Sequence, residues 1–193
     1  MTVKIDKNIT RSLDQNDISS YLKLIGKYPF LTHEDEINLA NQWINKNCYK
    51  SAHKLINAHL RLVVKISMKF RGYGLPLGEL ISEGNIGLIQ SLNRFDPKKG
   101  FRLSTYAMWW IRASIQEFIL HSWSLVKIGT TAAQKKLFFN LRKMKNQIMK
   151  SDQSDLLPEQ VTEIANRLDV TEAEVNSMDQ RMKGPEASLN ATI

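Results

Sequence analysis

Apolar residues recur along most of this chain at three- and four-residue intervals, the spacing that keeps one face of an α-helix apolar. The segment from about Ser51 to Phe70 shows it well, since Ile56, Leu60 and Val63 fall on one helical line. No segment has the strict alternation of a half-buried strand. The pattern therefore predicts an all-α protein, with a helical bundle core domain followed by a small three-helix domain.

Turn and capping residues divide this pattern into separate predicted helices. Asp17, Thr32 and Ser104 are predicted N-caps. Thr131–Gln134 and Thr171–Glu174 have the spacing of capping boxes, and a proline at 158 suits a first helical position. The predicted helices cover approximately residues 17–25, 32–44, 51–70, 77–95, 104–120, 131–149, 158–168 and 171–182.

The same pattern predicts the domain organisation. Residues 1–15 and 184–193 lack apolar periodicity and are expected to be flexible tails. Residues 16–122 are expected to form the core domain, and residues 123–183 the smaller domain. The last two predicted helices, joined by a short connection, are typical of a helix-turn-helix unit.

Charge and composition narrow the function. The chain has 27 Lys and Arg against 19 Asp and Glu, a net charge of +8, which favours a polyanionic partner. A single cysteine, Cys48, and the lack of an apolar leader favour a cytoplasmic protein. No run approaches the ~20 apolar residues of a membrane span. The four histidines lack zinc-ligand spacing, so we expect no metal, no cofactor and no enzymatic activity.

The most informative chemistry lies at residues 101–116. On a helix, one side is apolar and is formed by Leu103, Ala107, Trp110, Ile111, Ser114 and Phe118. A second line combines an aromatic ring, a guanidinium, a hydroxyl and an amide, the groups that stack on unpaired bases and bond to phosphates and base edges. That line consists of Thr105, Trp109, Arg112 and Gln116.

Two tryptophans on a helix are often simply core residues. Trp109 and Trp110 are adjacent, however, and neighbours on a helix point about 100° apart, so both can hardly be buried. Lys98, Lys99 and Arg102 flank Phe101 just before them, and basic residues interleaved with aromatics fit a groove for a nucleic-acid backbone. The stretch therefore favours single-strand binding over a purely structural role.

Three blocks of sequence occur in order and together resemble the core of bacterial RNA polymerase sigma factors of the sigma-70 family. They are A-H-L-R-L-V-V at 58–64, E-L-I-S-E-G-N-I-G-L at 79–88 and L-S-T-Y-A-M-W-W-I-R at 103–112. A further block, Q-K-K-L-F-F-N-L-R at 134–142, resembles the box of the heat-shock subfamily. The resemblance covers residues 16–183.

The resemblance implies a protein that docks on core RNA polymerase, mainly on the coiled coil of its β′ subunit. The implied polymerase-binding residues are Glu79, Ser82, Glu83, Asn85 and Ile89. Ser82 replaces the usual glutamine, which would shorten or remove one contact. Without the resemblance, the same residues would equally suit an ordinary solvated helix face.

The resemblance also implies recognition and melting of the minus-ten promoter element, with the single-stranded non-template strand held by the aromatic helix. Tyr106 would lie against a flipped adenine, Trp109 would stack as a wedge and Trp110 would support it. The implied DNA-binding residues are Phe95, Lys99, Phe101, Arg102, Thr105, Tyr106, Trp109, Trp110, Arg112, Gln116, Lys127, Thr131 and Gln134. Thr131 and Gln134 would equally serve only as a capping box.

Two further positions bear on base recognition in the same family. Ala113 aligns with a position that reads the upstream edge of the minus-ten duplex, but it has no hydrogen-bonding group. His59 stands where housekeeping members carry an asparagine in a pocket for a downstream flipped base. A lone histidine on a helix is also commonly structural.

The family continues into a domain that reads the minus-thirty-five element, and no segment after Met182 matches it. The expectation is a sigma factor without that domain, and the heat-shock resemblance implies chaperones or proteases as further partners. Two alternatives stay open: a truncated protein that docks on polymerase and competes with intact sigma factors, and a free-standing helix-turn-helix regulator.

Overall fold

The computed structural model describes residues 15–124, 131–148 and 156–183. Within these ranges every regular element is a helix, which confirms the predicted all-α class. The chain divides into two compact units, one ending at Trp123 and the other beginning at Ser124. The predicted tails lie outside the described residues except for Gln15, with which the first helix begins.

The first unit contains the longer helices. They are α1 (Gln15–Gly26), α2 (His33–Lys46), α3 (Tyr49–Ser67), α4 (Leu77–Asn93) and α5 (Leu103–Ser122). Short 3₁₀ turns, Met68–Tyr73 and Pro97–Lys99, follow α3 and precede α5. Because the chain tightens into 3₁₀ geometry after Ser67, α3 ends earlier than its apolar periodicity predicts.

Hydrogen bonds to side chains explain the starts of α2 and α5. The cap of α2 is the predicted residue, whereas the cap of α5 comes from another helix. The Thr32 hydroxyl accepts a hydrogen bond from the Asp35 N–H at 3.2 Å, so the N-cap predicted for α2 is confirmed. The N-cap predicted at Ser104 is wrong, because α5 already begins at Leu103. The Leu103 N–H instead donates to Oε1 of Glu36, in α2, at 2.5 Å.

The cap predicted at Asp17 is also wrong, since this residue lies within α1. An acidic residue in the first turn is favourable for the helix dipole as well as at the cap, so the sequence preference does not distinguish the two positions.

The core of the first unit is the contact between α4 and α5. The buried line of α5 runs at strict four-residue spacing through Leu103, Ala107, Ile111, Ile115 and Ile119. Trp110, Ser114 and Phe118, predicted on the apolar side, are only half-buried. Burying each isoleucine contributes about 1.5–3 kcal/mol relative to leaving it exposed.

Two glycines allow α4 to approach its neighbours closely. A Cβ atom at Gly87 would lie 2.7 Å from the carbonyl oxygen of Trp110 and 2.9 Å from the Cα of Ile111. A Cβ atom at Gly84 would lie 2.6 Å from Cγ1 of Val63, in α3. The backbones of α4 and α5 are therefore in direct contact at the middle of α5, which fixes the separation of the two helices.

The second unit contains α6 (Ala132–Ile148), α7 (Pro158–Leu168) and α8 (Glu172–Met182). Its caps follow the sequence closely: Pro158 occupies the first position of α7, and the capping box of Thr171 and Glu174 is formed. The turn between α7 and α8 places Asp169 in the left-handed region, at φ +57°. A small core joins the three helices through Leu137, Phe138, Leu141, Val161, Ile164, Val175 and Met178.

An ion pair completes this small unit. The carboxylate of Asp179 is buried, and its oxygens lie 2.6 Å from Nζ of Lys145 and 3.3 Å from Nζ of Lys183. Two ammonium groups offset the cost of burying that carboxylate. No helix among the described residues combines the length and apolar character that crossing a membrane requires.

Candidate nucleic-acid interface

A series of tilted and edge-on ring contacts supports the outer surface of α5. The ring of Phe95 lies 6.1 Å from that of Tyr106, which lies 6.2 Å from Trp110 in an edge-on arrangement. The guanidinium of Arg94 covers the Trp110 ring at 4.6 Å. Offset and edge-on ring pairs are favourable, so these contacts hold Tyr106 and Trp110 in place.

Phe95 occupies the bottom of this series and is only 7% exposed. The structure therefore places it beneath Tyr106, whereas the sequence resemblance placed it among the DNA-binding residues. In this conformation its contact with DNA would be limited to a small part of its ring.

Trp109 faces in a different direction from Trp110. It is 65% exposed, and the guanidinium of Arg112 lies 5.5 Å from its ring centre. The structure thus brings together an exposed aromatic face and a cation, whereas the adjacent Trp110 is half-buried. An exposed indole beside a cation can stack on an unpaired base and attract its phosphate.

A tight turn presents two more predicted DNA-binding residues to solvent. The Lys98 N–H donates to Oδ1 of Asp96 at 3.0 Å, and Gly100 adopts φ +74°, which reverses the chain. Lys99 and Phe101 are both exposed on either side of this glycine. The cation and the ring are therefore accessible to a nucleic-acid strand.

The remaining residues predicted to bind DNA differ from one another in burial and in hydrogen bonding. Gln116 is half-buried on α5 and Ala113 is exposed. In the second unit, the Thr131 hydroxyl accepts a hydrogen bond from the Gln134 N–H at 3.2 Å, so Thr131 acts as a cap for α6. Lys127 lies outside the described residues.

Helix α4 carries the residues predicted to bind polymerase. Glu79 is exposed, while Ser82, Glu83 and Ile89 are half-buried. The Ser82 hydroxyl donates to the carbonyl oxygen of Gly78 at 3.0 Å. Sequence reasoning missed Ile86, which is 37% exposed and follows Glu79 and Glu83 at helical spacing. The four- and three-residue spacing from Glu79 through Glu83 to Ile86 is the sequence signal that could have identified it.

Asn85 is the exception on this helix because it is covered by α1. It is 8% exposed, and its Nδ2 lies 3.5 Å from the hydroxyl of Tyr21. Its Oδ1 accepts no hydrogen bond from the described residues. Burial raises the pKa of Tyr21, and the contact with Asn85 opposes that shift. An unsatisfied buried acceptor is costly, and in this conformation α1 covers the Asn85 side chain.

The outer face of α4 is acidic and partly apolar. Partial burial raises the pKa of the Glu83 carboxyl group; a hydrogen bond from Ser114 lowers it, and the nearby carboxylate of Glu117 raises it. On α4, Glu79 and Glu83 lie on the same line as the exposed Ile86. Such an acidic and apolar surface suits a basic, amphipathic partner.

A buried polar cluster lies behind the N-terminus of α5. Glu36 is 1% exposed, and its Oε2 accepts a hydrogen bond from Nε of Arg102 at 3.0 Å and lies 2.9 Å from Nη2 of the same guanidinium. Nε2 of His59 lies 4.0 Å from the same oxygen, and its Nδ1 lies 2.8 Å from the carbonyl oxygen of Leu55. Sequence reasoning assigned Glu36 only to the first turn of α2, and no local pattern links it with Leu103, which lies 67 positions away.

No group of three or more His, Cys, Asp and Glu side chains within residues 15–124, 131–148 and 156–183 is arranged to hold a metal ion.

Comparisons with known proteins give two matches to family models. Sigma-70 region 2 matches residues 55–124, and Sigma-70 factor, region 1.2, matches residues 18–45. The chain is 60% identical over 176 residues to RNA polymerase sigma factor RpoH of Caulobacter vibrioides, covering 91% of this chain and 60% of the relative.

Other relatives are similar over the same span. RNA polymerase sigma factor RpoH of Rhizobium radiobacter is 57% identical over 91% of this chain and 58% of the relative. RNA polymerase sigma-C factor of Myxococcus xanthus is 44% identical over 92% of this chain and 60% of the relative. The chain therefore spans about 60% of the length of the curated relatives it matches.

Proposed function

This chain belongs to the sigma-70 family of bacterial RNA polymerase sigma factors, and we propose that it binds core RNA polymerase and directs transcription initiation. Within that complex it would recognise and melt the minus-ten promoter element. Its similarity to RpoH proteins over 91% of the chain supports a role at heat-shock promoters.

The observation that carries the proposal is the exposed indole of Trp109 beside the Arg112 guanidinium, on a helix whose opposite face is buried. Flipping a base out of a duplex costs a few kcal/mol. Stacking of a base on an aromatic side chain is worth about 1–3 kcal/mol and offsets this cost only for the opened strand. Melting would thus need no nucleotide hydrolysis, since the open state is the one that binds.

Polymerase docking is assigned to the outer face of α4. Glu79, Glu83 and Ile86 form an acidic and apolar surface that suits a basic helical partner such as the coiled coil of the β′ subunit. Ser82, Asn85 and Ile89 complete the proposed contact. For Asn85 the proposal requires α1 to move away from its amide.

The two units would divide the work. Residues 16–122 would dock on polymerase and hold the opened strand, while residues 123–183 would contact upstream DNA through Lys127, Thr131 and Gln134. The bond-forming chemistry would belong to the polymerase, so we propose no catalytic residue and no cofactor in this chain. Transcription would place its action in the bacterial cytoplasm, and control by chaperones or proteases is a further proposal from the heat-shock resemblance.

Promoter opening is tested with the assembled holoenzyme and permanganate, which modifies unpaired thymines. Trp109→Ala is expected to reduce the modified fraction about 10-fold, because a stacking contact of about 1–3 kcal/mol is lost. Trp109→Phe is the matched control, since it retains an aromatic face and should retain most of the opening. Unchanged opening by Trp109→Ala would remove the proposed role of this residue.

Docking is tested by pull-down with core polymerase. Glu83→Lys replaces a carboxylate on the α4 face with a positive charge, which the basic partner would repel. The variant should therefore not be retained by core polymerase. Glu159→Lys makes the same charge change at an exposed position of α7 and should leave retention intact. Absence of retention for the unmodified chain would refute the proposed polymerase partner.

A further inference from the structure

The start of α5 is held by a residue from another part of the chain. A helix N-terminus leaves backbone N–H groups without intrahelical acceptors, and the Arg102 side chain forms no cap with α5. The Leu103 N–H donates instead to Oε1 of Glu36 at 2.5 Å. A buried carboxylate of α2 therefore substitutes for the missing local cap.

The second oxygen of the same carboxylate fixes Arg102. Nε of Arg102 donates to Oε2 at 3.0 Å and Nη2 lies 2.9 Å from the same oxygen, so one edge of the guanidinium faces the carboxylate. Nη2 also donates to the carbonyl oxygen of Leu31 at 3.3 Å. Arg102 is thereby tied to α2 and to the residue that precedes its N-cap.

His59 limits the space on the remaining side of the carboxylate. Its Nδ1 must donate to the carbonyl oxygen of Leu55, since that oxygen can only accept. Nε2 then points towards Oε2 of Glu36 at 4.0 Å. The carboxylate is enclosed by α2, α3 and the start of α5, so it has little freedom to move.

We propose that Glu36 is a positioning residue for strand opening: it sets the N-terminus of α5 and, through that helix, the direction in which Trp109 is presented. This inference rests on the proposed function. Trp109 follows Leu103 by six residues, about 9 Å along the helix, so a rotation at the start of α5 is transmitted to the indole. Because Glu36 is 1% exposed, it acts through these contacts and does not touch the strand itself.

Docking should be insensitive to the same change. The α4 face is fixed by the close approach of Gly87 to Trp110 and Ile111, near the middle of α5 and away from its start. Loss of Glu36 is therefore expected to separate the two proposed activities.

The experiment uses holoenzyme assembled from the full chain and a forked minus-ten DNA probe with an unpaired non-template strand. Glu36→Gln retains the shape and one acceptor but loses the charge that holds Arg102. We expect probe affinity to fall at least 10-fold and polymerase binding to change less than two-fold. Glu34→Gln, an exposed carboxylate in the same turn of α2, is the matched control and should change neither.

A double-mutant cycle distinguishes positioning from a general loss of structure. In the Trp109→Ala background, Glu36→Gln should cost less than three-fold, because the ring that it positions is already missing. Equal losses in both backgrounds would overturn the inference, as would unchanged probe affinity in Glu36→Gln alone. If Trp109→Ala itself has no effect, the proposed melting function fails, which is a separate outcome.

A second variant covers the case in which Glu36→Gln does not fold, as judged by circular dichroism. Arg102→Lys keeps the charge but lacks the planar guanidinium, whose Nε donates to Oε2 of Glu36. It should lower probe affinity when Trp109 is present and have little effect on probe affinity when it is combined with Trp109→Ala. An equal effect in both would overturn the positioning role.

Discussion

Helices α4 and α5 lie side by side in the first unit, and their inner faces are similar while their outer faces differ. Leu80 and Leu88 of α4 pack in the same core as Ile111 and Ile115 of α5. Outward, α4 presents carboxylates and an isoleucine, whereas α5 presents an indole, a hydroxyl and a guanidinium. The two outer faces are thus suited to different partners.

The difference shows that folding and function use separate positions of the same helices. The inner positions require only apolar side chains of suitable volume, together with glycine at the point of closest approach. The outer positions are less constrained by packing, so they can carry a charge pattern for a protein partner or rings for an unpaired strand. Variants that affect one outer face should therefore leave the other unchanged, and variants at the shared contact should affect both.

The largest expected effect comes from the shared contact. Gly87→Ala would place a Cβ atom 2.7 Å from the carbonyl oxygen of Trp110, where backbone and not a flexible side chain must move. We expect the free energy of unfolding to fall by about 1–3 kcal/mol, and both polymerase binding and promoter opening to weaken. Chemical denaturation measures the first effect.

Gly26→Ala provides the control, since no atom lies within 4 Å of its added Cβ. It should leave stability unchanged or raise it by up to about 1 kcal/mol. Equal stability losses for the two substitutions would show that the contact between α4 and α5 does not depend on the close approach at Gly87.

The next effect is confined to the α4 face. Ile86→Ser removes an exposed apolar side chain that the proposed partner would bury, and it should weaken polymerase binding by about 1–2 kcal/mol, or roughly 5–30-fold. Ile44→Ser, at an exposed position of α2, is the control and should have no effect. A quantitative binding titration measures both, and equal binding by all three chains would exclude Ile86 from the contact.

A smaller effect is expected on the α5 face alone. Arg112→Ala removes the guanidinium 5.5 Å from the Trp109 ring, an exposed cation–π contact worth about 0.5–1 kcal/mol. Affinity for the forked probe should fall about 2–5-fold. Polymerase binding should be unchanged, and a parallel loss there would show that the two faces are not independent.

The smallest effect concerns the pH dependence of stability. The pKa of Glu83 is raised in the folded chain, mainly by burial, so the folded state binds its proton more tightly than the unfolded state. Stability from this group is therefore greatest below its usual pKa of 4.5 and declines as pH rises through the raised value. Relative to the unmodified chain, Glu83→Gln should gain melting temperature on going from pH 4 to pH 7. A gain that shrinks towards pH 7 would contradict this sign.

Local signals predicted much of the fold because their partners are close in sequence. The caps at Thr32 and Thr171 and the proline at the start of α7 involve atoms within three residues, and the structure contains them. Ser104 has the right residue type for a cap, but a carboxylate 67 positions away satisfies the helix instead. No local rule contains that information.

Packing partners explain the other differences. Helical periodicity placed Trp110 on the apolar side of α5, but the close contact at Gly87 directs the line through Ala107 and Ile111 inward. The burial of Asn85 likewise depends on Tyr21 of α1, which no motif connects with it. The exposed Trp109 was predictable because two adjacent tryptophans cannot share one helix face.

The hydrogen bond between Glu36 and Leu103 has a consequence for how the chain folds. Two separate family models match residues 18–45 and 55–124, yet this hydrogen bond joins a residue of the first region to a residue of the second. At 5–20 residues per second of synthesis, α2 emerges roughly 3–13 s before the residue 67 positions later whose amide its carboxylate caps. The N-terminus of the aromatic helix therefore gains this acceptor only after that loop closes. Both regions lie in one compact unit, whatever boundary their sequences suggest.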